Sequence, residues 1–448
     1  MLALILAAAA NWIPARWNSA DPATLTVVRE TPVNCLLVER GNWSAEFSAA
    51  AEKAGIVTLG VIRTQADRKD LPALVRDRKL SGIAAEGDFE PAQLAALRDS
   101  RIPVVELPSR TRLRFHADQP VVATAQGVWP GINAAPEGET KAAPSGAPWI
   151  DTNAGFLRFV RALTPAPVWI ANSPSKGQIY PEARYLQAIG DAAMTGARWV
   201  VALDADLEKR LLSGDAKALD TWRRIGAHLA FYESHKEWRD LGAYGQLAIV
   251  QETGSGGLIS GGILDMISVK HTPVRPLPGR RLQPGAMDGA VMAVNVDPAS
   301  LSDERKEVLR AFTRAGGTLL TAPPGWKFPP QRPGQITLDK EDVDKLHSIW
   351  KEVNAMTGRR NLGARLFNVS GMLSNLVGPP SGSPLVLHLV NYSDYPVENV
   401  TVHVLGKRAK AMLLRPGEKD QALTSYETED GSGFDLDNVG SVAALVIE

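Results

Sequence analysis

The sequence predicts an α/β protein that begins with a (β/α)8 TIM barrel, which we expect over residues 11–255. Short runs of apolar residues alternate there with longer segments of helical period, which is typical of βα units around a parallel sheet. Eight such runs precede residue 255, and about 250 residues is the usual length of this barrel. An open dinucleotide-binding sheet is disfavoured because no GxGxxG follows an early strand.

The predicted strands share dense apolar sequence bounded by Gly, Pro or charged residues. The intervening segments have the spacing of amphipathic helices, and the longest of these is expected at 216–238. We expect the strands at 34–39, 57–63, 81–87, 102–108, 120–130, 166–174, 198–204 and 245–252.

The composition excludes several classes of partner. Lys plus Arg and Asp plus Glu number 49 each, so the net charge gives no indication of nucleic-acid binding. No segment reaches the ~18 continuous apolar residues of a membrane span. The single cysteine, Cys35, lies in the apolar run NCLLVE, where we expect a small buried hydrophobe rather than a nucleophile.

The N-terminal segment MLALILAAAA, residues 1–10, is similar to the hydrophobic part and cleavage region of a secretory signal, although it lacks the basic start. We therefore expect a secreted or periplasmic protein. The alternative is a cytoplasmic protein in which this segment is a frayed apolar strand or helix.

Acidic residues recur at the ends of the predicted strands. Glu39 ends the first strand, Glu86 the third, Glu106 the fourth, Asp204 the seventh and Glu252 the eighth. Because the carboxyl ends of barrel strands converge on one face, we expect these carboxylates to surround one site. The other polar or aromatic residues that reach strand ends are Arg63, Gln126, Trp129 and Asn172.

This combination of side chains predicts a carbohydrate site. Aromatic faces cover the C–H faces of sugar rings, amides and carboxylates bind hydroxyl groups, and two carboxyl groups supply proton transfer and charge stabilisation. For any single acid the alternative is a structural role, since strand ends in every α/β fold meet polar loops. No metal-ligand spacing and no phosphate loop occurs, so we expect neither metal nor cofactor. The expected substrate-binding residues are Glu39, Arg63, Glu86, Gln126, Trp129, Asn172 and Glu252.

The rest of the chain predicts two further domains. Residues 289–323 have the pattern strand, helix, strand, with Gly316 and Gly317 placed to end the helix in a left-handed conformation. Residues 384–418 alternate at period two, as the strands of a small β-sandwich do. We expect an α/β domain at 256–358 and a β-sandwich at 359–448.

This order of domains resembles that of a class of bacterial β-galactosidases and related glycoside hydrolases. The resemblance lies in the strand AVMAVNV, in Leu301 and Ser302 at the start of a helix, in AGGTLLTAP at its end, and in HLVNYS followed by PVENVTVHV. It implies a flavodoxin-like, amidotransferase-like middle domain. Because that domain contains no cysteine, a glutaminase nucleophile is absent, and the resemblance implies a structural role or a homo-oligomer contact.

The resemblance also implies positions for the catalytic carboxylates. Retaining hydrolases with this organisation place an Asn-Glu acid/base pair after the fourth strand and a glutamate nucleophile after the seventh. The corresponding positions here hold Val105 with Glu106, and Asp204. We expect Glu106 to be the general acid/base and Asp204 to be the nucleophile or charge stabiliser, with Glu86 and Glu252 as substitutes.

Two functions stay open at this point. One is a glycoside hydrolase acting on an oligo- or polysaccharide; the other is a catalytically inactive barrel that binds a carbohydrate or serves as a scaffold. The missing Asn before Glu106 motivates the second. The sequence favours the enzyme because acids occupy both strand ends that the mechanism uses.

Overall fold

The structure, a computed structural model, describes residues 9–63, 70–99, 102–115, 119–132, 150–252, 261–268, 270–327, 336 and 338–448. Residues 1–8 of the predicted signal segment lie outside this set. The chain divides into two compact units. The first contains the chain up to Gly127 together with Thr164–Ala193 and Ala197–Ser234. The second contains Val128–Leu163, Met194–Gly196 and His235–Glu448.

Strands and helices are interspersed through the first three quarters of the described chain. The strands are β1 (Pro14–Trp17), β2 (Cys35–Val38), β3 (Val57–Ile62), β4 (Gly82–Glu86), β5 (Val104–Leu107), β6 (Val122–Thr124), β7 (Gly131–Ile132), β8 (Ile150–Asp151), β9 (Val168–Ile170), β10 (Arg198–Trp199), β11 (Gly242–Ala243), β12 (Leu247–Gln251), β13 (Val274–Pro278), β14 (Met292–Asn295) and β15 (Thr318–Thr321). The helices are α1 (Leu25–Val28), α2 (Ala45–Lys53), α3 (Leu71–Asp77), α4 (Pro91–Asp99), α5 (Ala154–Arg161), α6 (Glu182–Ala193), α7 (Ala205–Leu212), α8 (Ala216–Ser234), α9 (Ile263–Ser268), α10 (Asp303–Arg314) and α11 (Lys340–Thr357).

The first unit is built on parallel strands. Five of them pair in the order β1-β2-β3-β4-β5, and three more in the order β10-β9-β6. Each strand predicted between 34–39 and 198–204 contains an observed strand, because these runs are apolar enough to be buried on both faces. Alternate side chains of the strands form one buried cluster, whose members include Cys35, Leu37, Leu59, Val61, Ala84, Val105, Leu107, Ala123 and Trp169.

The strand predicted at 245–252 does not belong with these strands. The observed β12 lies in the second unit, where it pairs in parallel with β13 on one side and β14 on the other. The first unit instead begins with β1, which the sequence reading missed. That strand has four residues, starts with Pro14 and carries Arg16, so it lacks the apolar run that identified the others.

The second unit contains a parallel sheet in the order β13-β12-β14-β15. The strand, helix, strand pattern predicted at 289–323 is observed as β14, α10 and β15. Ser302 caps α10 by accepting the N–H of Arg305, and Gly316 follows the helix with a φ of +94°. The boundary expected at 256 follows the central strand β12, which pairs within this unit, and α5 also belongs to this unit.

The C-terminal residues form antiparallel strands. They belong to two sheets, β11-β17-β18-β24-β20-β21 and β16-β19-β23-β22, whose apolar faces share one buried core. Along β19 the valines 400, 402 and 404 are buried and alternate with Thr401 and His403, as the period-two pattern predicts. Their bounds are β16 (Ala364–Phe367), β17 (Met372–Gly378), β18 (Leu385–Asn391), β19 (Val397–Leu405), β20 (Lys410–Leu414), β21 (Gln421–Thr424), β22 (Tyr426–Glu427), β23 (Gly431–Val439) and β24 (Val442–Ile447).

No helix among the described residues combines the length and the apolar character that crossing a membrane requires.

Candidate functional site

Four charged side chains meet at the carboxyl ends of β1 to β4. Arg16 forms salt bridges with Glu86 and, at 3.6 Å, with Glu39. Arg63 donates to both oxygens of Glu39, at 2.5 and 2.7 Å, and lies 2.7 Å from Glu86 Oε2. We call these four residues the Arg–Glu network. The structure thus brings three of the predicted substrate-binding residues together, namely Glu39, Glu86 and Arg63.

The period of the strands places these side chains on one face. Glu39 continues the alternation of Cys35 and Leu37, and Glu86 continues that of Ala84, all of which are members of the buried cluster. The network therefore lies on the same face of the strands as the cluster, one step beyond it toward the carboxyl ends.

Electrostatics fixes Glu86 in its ionised form. Burial favours the neutral acid, since the side chain is 14% exposed, but the positive charges of Arg16 and Arg63 outweigh this and lower the pKa of Glu86. Arg16 is the more buried of the two arginines, with 9% of its side chain exposed against 46% for Arg63. Arg16 is therefore the inner member of the network.

A pocket of about 440 Å³ lies beside the network. The loop 173–179, which follows β9, forms one wall, and the chain after β10 forms another. Apolar contact comes from Pro174, Ile179 and Leu203, and no aromatic side chain is among the described lining residues. We call this the Glu208 pocket; its charged and amide groups are those of Arg16, Asn18, Glu39, Lys176, Gln178, Asp206 and Glu208.

Glu208 lies on α7 and differs from Glu39 in its environment. Its carboxyl group accepts hydrogen bonds from the Asn18 backbone N–H at 3.2 Å and from Asn18 Nδ2 at 2.9 Å. Burial raises the pKa of Glu208, and the two hydrogen bonds only partly oppose this. The pocket therefore holds one carboxylate paired with arginines, Glu39, and one carboxyl group, Glu208, whose pKa is raised above its ordinary value.

Asp204 has a structural role in this geometry. It is 1% exposed and caps α7, where Oδ1 accepts the N–H groups of Asp206 and Leu207 at 3.0 Å. Its Oδ2 accepts the Tyr185 hydroxyl at 2.5 Å and the Tyr180 N–H at 3.2 Å. These contacts occupy both carboxylate oxygens and connect α7 to the residue that follows the loop 173–179.

Glu106 faces away from the Arg–Glu network. Its neighbours Val105 and Leu107 belong to the buried cluster, so the alternation of the strand turns Glu106 to the opposite face. There it forms a salt bridge with Arg98 of α4. The expected pairing of Glu106 with Asp204 thus finds no support in these contacts.

Gln126 and Asn172 are held by neighbouring side chains of the first unit. The backbone carbonyl and side-chain oxygen of Gln126 accept from the buried Arg110, at 2.6 and 2.8 Å. Asn172, 5% exposed at the end of β9, accepts the indole N–H of Trp199 through Oδ1. Its Nδ2 is buried and has no hydrogen-bond partner in the described part of the chain.

Trp129 and Glu252 belong to the second unit. Glu252 follows β12, donates its backbone N–H to Asp297 and accepts from Arg305 Nη1 at 3.3 Å. Neither residue is among those that line the Glu208 pocket, whose described lining comes entirely from the first unit.

Sequence reasoning missed Arg16, Asn18 and Glu208. Arg16 and Asn18 were missed together with their strand, β1. Glu208 stands in LEKRLL, which has the pattern of a solvated helix face. The signal available was its place one turn after the cap Asp204, at the start of the helix that follows β10.

The fold of the whole chain is similar to that of a glycoside hydrolase. No protein-family model and no curated protein sequence matches the chain. Its structure is similar to alpha-L-fucosidase isoenzyme 2 from Paenibacillus thiaminolyticus, with a TM-score of 0.59 and 11% identity over 98% of this chain and 99% of that one. The chain therefore has a glycoside hydrolase-like fold.

Two other solved structures overlap with this chain at lower similarity. The exo-carrageenase GH42 from Bacteroides ovatus has a TM-score of 0.42 and 9% identity, over 85% of this chain and 56% of that one. The rhamnosidase from Novosphingobium sp. PP1Y has a TM-score of 0.40 and 12% identity, over 90% of this chain and 39% of that one.

Proposed function

We propose that the protein is a glycoside hydrolase whose reaction takes place in the Glu208 pocket. The observation that carries the proposal is the contrast between its two carboxyl groups. Glu39 lies in salt bridges with arginines, whereas burial raises the pKa of Glu208. Glycoside hydrolysis requires two carboxyl groups in different environments, one that favours holding a proton and one that stabilises positive charge. The fold similarity to a fucosidase of matching length supports this assignment.

The proposal includes a closed (β/α)8 barrel for the first unit. Hydrogen bonds support closure at both seams between its sheets. Arg16 N–H donates to Val201 at 2.7 Å and Val201 N–H to Pro14 at 3.0 Å, which joins β1 to the chain after β10. Ala125 N–H donates to Pro108 at 3.1 Å, which joins the chain after β6 to the chain after β5. The Glu208 pocket then lies at the carboxyl-terminal face, where enzymes of this fold have their sites.

The second unit completes the proposed architecture. Its parallel sheet with α10 fits a flavodoxin-like middle domain, and its two antiparallel sheets with a shared core fit a β-sandwich. We assign a supporting role to both, because the described residues that line the Glu208 pocket all lie in the first unit.

In this proposal Glu208 is the general acid and Glu39 is the charge-stabilising or nucleophilic carboxylate. Glu208 gives its proton to the glycosidic oxygen while the bond from that oxygen to the anomeric carbon breaks. The carboxylate of Glu39 stabilises the positive charge that develops on that carbon. Water then supplies a hydroxyl group to the anomeric carbon, and its remaining proton returns to Glu208. Asp204 is a positioning residue, because it holds the start of α7, which carries Glu208, and also Tyr180, the residue after the loop 173–179.

The test is hydrolysis of a panel of aryl glycosides that includes aryl α-L-fucosides, with wild type, Glu208→Gln and Glu106→Gln. Loss of the general acid should lower kcat by about 100-fold or more for phenyl glycosides. The loss should be much smaller for dinitrophenyl glycosides, whose leaving groups need no proton. Glu46→Gln on the exposed face of α2 is the matched control and should retain full activity.

Two results would overturn the assignment. One is a loss of hydrolytic activity in Glu106→Gln together with full activity in Glu208→Gln. That result would make Glu106 the general acid, as the sequence predicted. The other is a Glu208→Gln deficit that is equal for phenyl and dinitrophenyl glycosides, since a general acid must act on the leaving group.

A second candidate function is a carbohydrate-binding barrel without catalysis. One observation favours it: both carboxylates of the Arg–Glu network are bound by arginine, an arrangement that also suits a rigid binding surface. This candidate predicts no product from any glycoside of the panel, together with saturable sugar binding that survives Glu208→Gln.

A further inference from the structure

A second pocket, in the second unit, is lined by arginine. Its volume is about 460 Å³. Its walls come from α5, from β13 and the chain that follows it, and from β17. Among the described residues that line it, Asp288 is the one with a carboxylate. We call it the arginine pocket, after Arg158, Arg161, Arg275 and Arg281.

Three hydrogen bonds orient Arg158 at the base of this pocket. The side chain is 5% exposed, and its Nε donates to Asn375 Oδ1 at 3.2 Å. Its two Nη atoms donate to the Ser268 hydroxyl at 2.5 Å and to the Ser374 carbonyl at 2.6 Å. These bonds fix the orientation of the Arg158 guanidinium group.

Backbone carbonyl groups hold Arg275 and Arg281 at the rim. Arg275 donates to the carbonyl oxygens of Asp288, at 2.6 Å, and Ala286, at 3.2 Å. Arg281, which is exposed, donates one Nη to the Leu163 carbonyl at 3.2 Å. Each guanidinium group has five N–H donors, so these bonds leave donors on both arginines for a ligand.

The electrostatics of the pocket favours an anion. Burial lowers the pKa of Arg161, an effect that the charge of Asp240 opposes. Burial also lowers the pKa of Arg275, which Asp288 opposes. Both guanidinium groups stay charged at neutral pH, and they have lost part of their hydration. A bound anion would replace that hydration with charge-assisted hydrogen bonds.

We propose that the arginine pocket binds a small oxyanion, namely a phosphate or sulfate group, either free or as a monoester. Guanidinium groups match the oxygens of such anions in pairs, and several of them around one cavity suit a doubly charged ligand. The volume is within the range of small-molecule sites, so it accommodates a sugar phosphate as well as the free ion. The proposal rests on the second unit and does not depend on the hydrolase assignment.

The test is titration calorimetry of the full chain with inorganic phosphate at constant ionic strength. Wild type should bind phosphate saturably. Arg281→Gln should weaken the affinity about 10-fold or more, as expected for the loss of hydrogen bonds between charged groups, and the fold should survive because the side chain is exposed. Arg275→Gln should weaken it similarly. Arg310→Gln, an arginine on the surface of α10 with 59% of its side chain exposed, is the matched control and should bind as wild type does.

Competition then distinguishes the sources of the oxyanion. If a hexose 6-phosphate displaces inorganic phosphate at a concentration at least about 10-fold below that of sulfate, the ligand is a monoester; if the two compete equally, it is a free ion. The proposal is overturned if wild type shows no saturable phosphate binding. It is also overturned if Arg275→Gln and Arg281→Gln both bind as tightly as the Arg310→Gln control.

Discussion

The two arginine clusters of this protein differ in the charge of the groups they contact. In the Arg–Glu network, Arg16 and Arg63 meet two carboxylates, so positive and negative charge balance within the cluster. In the arginine pocket, Arg158 and Arg275 are oriented by amide, hydroxyl and carbonyl oxygens. Burial is comparable for the inner members, since the side chain of Arg16 is 9% exposed and Arg158 is 5% exposed. The two clusters therefore differ in the acceptors that these bonds reach and not in the burial of their inner arginines.

This difference has a thermodynamic consequence. Removing one cation from a balanced, buried network leaves a carboxylate without its counter-charge, which is costly. Removing Arg281, the exposed arginine of the arginine pocket, breaks its hydrogen bond to the Leu163 carbonyl and reduces the repulsion between the like charges of the pocket. Substitutions in the first cluster should therefore lower stability, and substitutions at the rim of the second should lower ligand affinity while stability changes little.

The largest effect is expected for Arg16→Met. The substitution leaves Glu86, with 14% of its side chain exposed, without its inner partner. The free energy of unfolding should fall by about 3–5 kcal/mol, the usual cost of breaking a buried ion pair. Arg63→Met is the matched variant, because Arg63 contacts the same two glutamates but is 46% exposed. Its cost should be about 1 kcal/mol or less.

Urea unfolding followed by tryptophan fluorescence measures both losses. Equal losses for the two variants would contradict the view that Arg16 is the inner member of the network. A loss of the same size for Arg281→Met would remove the distinction between the two arginine clusters.

An intermediate effect is expected for Asp204→Ala. The variant loses the cap of α7 and the acceptor of the buried Tyr185 hydroxyl, so stability should fall by about 2 kcal/mol. Asp206→Ala is the control, since Asp206 is 48% exposed and pairs with Arg210 on the surface of the helix; it should cost about 0.5 kcal/mol. Thermal unfolding of both variants gives the comparison.

The same two variants test whether Asp204 has a positioning role or a catalytic role. If Asp204 acts through position, stability and turnover should decline together, with a rise in KM that reflects the displaced loop 173–179. A stable Asp204→Ala protein without turnover would instead assign Asp204 the catalytic role that the sequence predicted.

The strands of the first unit could be predicted from the sequence because most of them are continuous apolar runs. The run VVEL, for example, identifies β5, and the alternation of Val105, Glu106 and Leu107 already determines that Glu106 faces away from the cluster side. The expectation for Glu106 followed the strand number instead of this alternation. Whether a residue belongs to the site is therefore predicted better by the face of the strand on which its side chain lies than by its position at a strand end.

Other features could not be obtained from the pattern. The strand β1 has no apolar run, and β12 has one that is indistinguishable from those of the first unit. Parallel sheets that are buried on both faces produce the same sequence pattern wherever they occur. Which sheet a strand joins depends on pairings such as that of β12 with β13, which involve residues far apart in the chain.

The smallest effect is expected for Glu208→Gln, and its sign is the informative part. Because burial raises the pKa of Glu208 above its ordinary value of 4.5, the folded protein holds this proton more tightly than the unfolded chain does. Stability therefore falls as the pH rises through the interval between the two pKa values, and at neutral pH the ionised group is a small penalty. Glu208→Gln should remove that penalty and raise the melting temperature slightly at pH 7, with no difference from wild type below about pH 4.

Glu86→Gln is the comparison that sharpens this prediction, since Arg16 and Arg63 lower the pKa of Glu86 against the effect of burial. The ionised form of Glu86 stabilises the fold when the pH is above the ordinary pKa of a glutamate. This stabilisation is lost as the pH falls through the lowered pKa of Glu86 in the folded protein. Glu86→Gln should therefore destabilise the protein at pH 7 and much less in acid. Calorimetric melting of the two variants between pH 3 and pH 8 should give pH dependences of opposite sign. If Glu208→Gln instead lowers the melting temperature at pH 7, the carboxyl group of Glu208 is a stabilising anion, and it is not the proton donor of the pocket.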